Sequence, residues 1–137
     1  DIHPPGAEWS AATAVNDAGD VVGSAGGAGA IRGFRYSAGV NTSLGSLIPL
    51  GINTAGTVVG RGESGAAIHI DGTTYDLNRL TNYRGKFQLL EAKGINDRGW
   101  IVGTGAYWGG RGDYPPHTQR AFVLKPIPKA TKEAAAD

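Results

Sequence analysis

The side chains best suited to recognition gather in one stretch, Ala106–Gln119, which holds Tyr107, Trp108, Arg111, Asp113, Tyr114 and His117. Aromatic faces beside a cation, a carboxylate and an imidazole are the composition of surfaces that grip sugars or proteins. Long loops on a rigid scaffold are also where binding residues tend to sit. A plainer use competes with this one, in which Tyr107 and Trp108 pack over a sheet edge. Arg111-Gly112-Asp113 spells an adhesion-type tripeptide, but a Gly-rich chain produces such triplets easily. Elsewhere the chemistry thins out. His3, His69 and His117 are far apart and lack the i, i+4 spacing of a zinc motif. There is no Gly-x-Ser-x-Gly elbow, and Ser64-Gly65 alone is not one. Glu8, Glu63, Asp76, Glu91 and Asp113 could supply a carboxylate pair for glycoside cleavage, yet no spacing selects a pair. Asp17, Asp20 and Asp97 lie in turns where oxygens can hold calcium. Thr54 and Thr57 replace the first two of these in the second copy of the turn, so turn formation is the expected role. No other cofactor or metal is expected.

Those turns belong to a segment that the chain writes three times: Ala14–Gly23, Gly51–Gly60 and Gly94–Gly103. The shared pattern is apolar, Asn, two variable residues, Gly, one variable residue, two apolar residues, Gly. Asn at the first turn position and Gly at the fourth suit a type I turn. The Asn side chain can bond backbone two residues on, and Gly accepts the positive φ that follows. A type I turn followed by a left-handed Gly is the common three-residue hairpin loop with a bulge. Asn16–Gly19, Asn53–Gly56 and Asn96–Gly99 are therefore expected to be structural turns, each joining two antiparallel strands.

Around these hairpins the chain divides into an extended lead-in (1–8), three repeats (9–47, 48–77 and 78–126) and a tail or linker (127–137). The first repeat reads as strands Trp9–Val15, Asp20–Ser24, Ile31–Tyr36 and Asn41–Leu47, with a small-residue loop at Ala25–Ala30. The second has Leu50–Ile52, Val58–Gly60, Ala67–Ile70 and Thr73–Leu77, with a loop at Arg61–Gly65 and a tight Asp71-Gly72 turn. In the third, a polar, turn-like Asn78–Gly85 precedes Phe87–Ile95, Trp100–Thr104 and Arg120–Leu124, after which Pro126 and Pro128 break the run.

Composition agrees with short strands and tight turns: 137 residues carry 23 Gly and 7 Pro, and 18% are charged. The absence of Cys excludes disulfides and thiol chemistry. The absence of Met leads us to expect a processed chain or a part of a longer one. Net charge is +1, and the densest basic cluster (Arg79, Arg84, Lys86 and Lys93) is interrupted by Glu91 and Asp97. That gives little support for the basic face that nucleic acid requires, and no nucleic-acid partner is expected. No apolar run approaches a membrane-spanning helix.

Repeats of about 40 residues in four antiparallel strands match one blade of a β-propeller. A β-trefoil, which closes with three repeats, is the alternative. The paired apolar residues Val21-Val22, Val58-Val59 and Ile101-Val102 suit sheets covered on both faces, which favours blades. The expected fold is all-β, with three four-stranded antiparallel propeller-like blades. Three blades do not close a ring, so completion by another copy, a partner chain or further residues is expected.

The apolar-Asn-Asp-x-Gly-x-apolar-Val-Gly core, followed by Gly33–Tyr36 or by Ala121–Pro126, resembles the bacterial extracellular repeat family called HAF. The likeness runs from about Trp9 to Pro126. Gly33 and Arg120 stand where that family's unit has His before Ala-Phe. The resemblance implies a secreted or cell-surface protein of propeller-like architecture with no common activity. The expected function is thus non-catalytic association, protein with protein or self-assembly. A glycan-binding or glycan-cleaving protein on the same scaffold is the alternative.

Overall fold

The computed structural model describes residues 1–83, 85–107 and 118–127. The chain is all-β, in three antiparallel sheets laid down in sequence order. The first sheet is the meander β1 (Trp9–Val15), β2 (Val21–Gly27), β3 (Ala30–Ser37) and β4 (Val40–Gly45). The second repeats it as β5 (Ile48–Ile52), β6 (Val58–Gly62), β7 (Gly65–Ile70) and β8 (Thr73–Asp76), and ends in a one-turn helix, α1 (Leu77–Leu80). The third contains β9 (Phe87–Ile95), β10 (Ile101–Tyr107) and β11 (Thr118–Leu124), in the order β11-β10-β9. We call these sheets units 1, 2 and 3.

The repeated Asn opens each unit's first hairpin. Its backbone carbonyl accepts from the turn Gly three residues on, at 3.1 Å in Asn16–Gly19, 3.0 Å in Asn53–Gly56 and 3.1 Å in Asn96–Gly99. The Asn side-chain oxygen accepts from the backbone four residues on: Asp20 N–H, Thr57 N–H and Trp100 N–H each lie at 2.9 Å. The turn glycines adopt φ of +84°, +84° and +77°, which completes a type I turn with a bulge.

The last Gly of the motif has a different cause. Each first hairpin carries a register shift, which falls between Ala12 and Ala14 in unit 1 and between Pro49 and Gly51 in unit 2. In unit 3 it falls at Val102/Gly103. The bulged strand drives a backbone carbonyl toward the facing strand. A Cβ on Gly23, Gly60 or Gly103 would lie 2.1, 2.0 or 1.9 Å from the carbonyl oxygen of Ala11, Ile48 or Glu91. Only Gly fits at these three positions.

Several boundaries differ from the sequence expectation. The segment 25–30 is not a loop, because β2 continues to Gly27 and turns at Ala28-Gly29, both at positive φ. Likewise β6 and β7 run up to Gly62 and Gly65, which leaves only two residues between them. The polar stretch after β8 begins with α1, whose N-cap Asp76 accepts from Asn78 N–H. Unit 3 has, among the described residues, the three strands read from its repeat and not the fourth that three four-stranded blades would require. The sheets do not close into a barrel, so the trefoil alternative is set aside.

The core lies between sheets rather than inside any one of them. Val22, Leu44 and Leu47 of unit 1 meet Ile52, Val58 and Ala67 of unit 2. Val59, Ala66 and Leu77 of unit 2, in turn, meet Leu89, Ala92 and Ile101 of unit 3. Adjacent residues of a strand point to opposite faces. Val58 therefore reaches back to unit 1 while Val59 reaches forward to unit 3, which is why the motif carries two apolar residues in a row.

Candidate functional site

The seam between units is built twice from the same parts. The side-chain amide of Asn16 donates to the Asn53 backbone carbonyl at 2.9 Å, and the Asn53 amide donates to the Asn96 carbonyl at 3.1 Å. One residue thus shapes its own turn through its oxygen and holds the next unit through its nitrogen. Asn96 repeats the turn contacts, but its amide has no acceptor among the described residues.

Apolar side chains follow the same series. Val22 and Val59, six residues after their Asn, are 0% exposed beneath the following unit, whereas the equivalent Val102 is 50% exposed. Val123, register partner of Val102, is exposed beside it. Its counterpart in unit 2, Ile68, packs against the seam with unit 3. Among the described residues, the forward face of unit 3 is therefore a seam with one side missing.

Unit 1 shows the opposite face. Val15 is 64% exposed, while its equivalents Ile52 and Ile95 are drawn into the two seams. Val21 is half-buried where Val58 and Ile101 are buried. Part of this rear face is covered by the lead-in. Asn41 on β4 donates to the Ile2 carbonyl at 3.2 Å, and the His3 ring bonds Ser10 Oγ and the Ala7 carbonyl, both at 2.8 Å. The fit is incomplete: Asn41 Oδ1 is buried without a partner, and a groove of about 400 Å³ runs between Pro4–Glu8 and the strands carrying Phe34 and Asn41.

Polar links brace the seams from outside. Asp20 accepts from Asn16, Ser37 and Arg35, and Arg35 also donates to the Gly56 carbonyl of unit 2 at 3.2 Å. The Ser37 hydroxyl, then the Asn16 amide and the Arg35 guanidinium, hold the Asp20 carboxyl below its ordinary range, against the opposing effect of burial. Thr54 donates through N–H and hydroxyl to the Asp97 carboxylate at 2.8 and 2.9 Å. Arg61 pairs with Glu91 at 3.2 Å.

These contacts give several of the candidate side chains a structural role. Asp20 and Asp97 are turn and seam residues, Asp76 caps a helix and Glu91 is ion-paired. Among the described residues, no three His, Cys, Asp or Glu side chains are placed to hold a metal. His69 bonds Thr74 Oγ1 at 2.8 Å, and burial with the nearby Arg35 charge pushes its imidazole down. It lines a groove of about 420 Å³ between units 1 and 2, shared with Arg35, Ser37 and Asp71. The one strong cation there, Arg35, is already engaged by Asp20 and Gly56.

Of the aromatic and polar stretch, Tyr107 closes β10 with the Arg120 guanidinium 4.5 Å from its ring. Trp108, Arg111, Asp113, Tyr114 and His117 lie outside the described residues. Sequence reasoning placed Asn16, Asn53 and Asn96 in their turns but missed the amides of Asn16 and Asn53 as inter-unit clasps. The available signal was that the Asn keeps its identity while its two successors vary. No family model matches the sequence, and neither the curated proteins nor the solved structures provide a match.

Proposed function

We propose that the chain is a non-catalytic association module: a propeller-like run of blades whose end faces are completed by another chain. The observation that carries this reading is the contrast between Val22 and Val59, sealed by the next unit, and Val102, left half exposed at the equivalent position. An apolar seam face left open in water favours association, because covering it repeats a contact the protein already makes twice. The likeness of the repeat to the HAF type supports a secreted or surface setting for such a module. The stretch 107–117 is proposed as a further contact surface for a protein or carbohydrate partner. Its aromatic and polar composition and the Arg120 contact on Tyr107 at its base support that reading.

Light scattering after size exclusion tests the association. The wild type is expected to form oligomers in the micromolar-to-millimolar range, and Val102→Glu to run as a monomer with an unchanged far-ultraviolet spectrum. A wild type that remains monomeric over that range refutes the proposal.

A further inference from the structure

We propose that the forward face of unit 3 receives the rear face of unit 1 from a second copy of this chain, head to tail, with the Asn96 amide donating to that copy's Asn16 carbonyl. This rests on the association reading above and adds the partner and its polarity.

A backbone carbonyl has two lone pairs. The Asn53 carbonyl accepts from Gly56 N–H and from the Asn16 amide, and the Asn96 carbonyl accepts from Gly99 N–H and from the Asn53 amide. Among the described residues, the Asn16 carbonyl accepts from Gly19 N–H alone. One end of the molecule therefore has a spare donor, the Asn96 amide, and the other a spare acceptor of the same type. The apolar parts match in the same sense. Val102 and Val123 lack the cover that Ile52 and Val58 give Val22, while Val15 and Val21 lack the neighbour that Ile52 and Val58 have. Two unlike faces that fit each other within one chain fit between copies by the same geometry, as a heterologous contact that continues until a ring closes. Pairing two forward faces would instead set amide against amide, with no acceptor for either.

The lead-in occupies part of the receiving face, but it leaves Asn41 Oδ1 unsatisfied and a groove beneath Pro4–Glu8. It is a partial substitute for a unit, and an incoming unit displaces it.

Complementation tests the polarity. Val15→Glu blocks only the rear face and Val102→Glu only the forward face, and both sites are exposed enough to accept Glu without unfolding the chain. Each variant alone is expected to be monomeric. An equimolar mixture is expected to give a one-to-one pair, formed by the forward face of the Val15→Glu chain and the rear face of the Val102→Glu chain. Adding Asn41→Ala to the Val102→Glu chain releases the lead-in and is expected to tighten the pair severalfold; unchanged affinity would overturn the displacement. If the wild type associates but Val15→Glu does so equally well, or the mixture gives no pair, the head-to-tail contact is wrong while association stands. A monomeric wild type removes both.

Discussion

Asn53 shows how much one side chain can carry here. It is buried, its oxygen accepts from Thr57 N–H at 2.9 Å, and its amide donates to Asn96 across the seam at 3.1 Å. Asn53→Ala strips an acceptor from the half-buried Thr57 N–H and a donor from the Asn96 carbonyl of the neighbouring unit. Losing the two part-buried hydrogen bonds costs about 1–3 kcal/mol in total. In the dilute, unassembled chain, Asn96→Ala removes only turn contacts at an exposed site, for about 0.5–1.5 kcal/mol. Urea unfolding of the two variants checks the difference; equal losses would mean that the inter-unit donation contributes nothing to stability. The turn role of these residues was legible because Asn and Gly at that spacing have a local cause. The clasp was not, since the direction of the amide depends on where the next unit lies.

At the scale of elements, the bulge in each first hairpin explains the motif's closing Gly. Gly60→Ala would put a methyl 2.0 Å from the Ile48 carbonyl oxygen, against backbone that cannot move without breaking the β5–β6 pairing. We expect a loss of about 3 kcal/mol or more, read as a collapse of the urea midpoint. Gly72→Ala is the control, because it meets no atom within 4 Å and carries only the strain of φ +80°, costing about 1–2 kcal/mol. If both cost the same, steric approach at the bulge is not what demands Gly60. Strands rich in β-branched and aromatic residues were legible, and Phe87–Ile95 was read to its ends. The stretch 25–30 was misread because Gly and Ala have no preference for the sheet, and pairing of β2 with β3 decided the matter. Helix α1 spans four residues, too few to show a periodicity.

For the molecule as a whole, the three units were legible from the repeat alone, but the inequality of its ends was not. A sequence pattern repeats without saying which face of each copy its neighbour covers, whereas burial does: equivalent valines are sealed twice and open once. That asymmetry has a thermal consequence. If the open faces mate in the folded state only, mass action makes apparent stability rise with protein concentration. Where the wild type is assembled, each tenfold increase contributes about 1.4 kcal/mol per contact, which for a chain of this size raises Tm by about 4–6 °C. Val102→Glu, with one face blocked, is expected to melt at a temperature independent of concentration and to match the wild type at its most dilute. Differential scanning calorimetry across two decades of concentration gives both slopes. A flat wild-type line would mean that the exposed valines contribute nothing to association in the folded state.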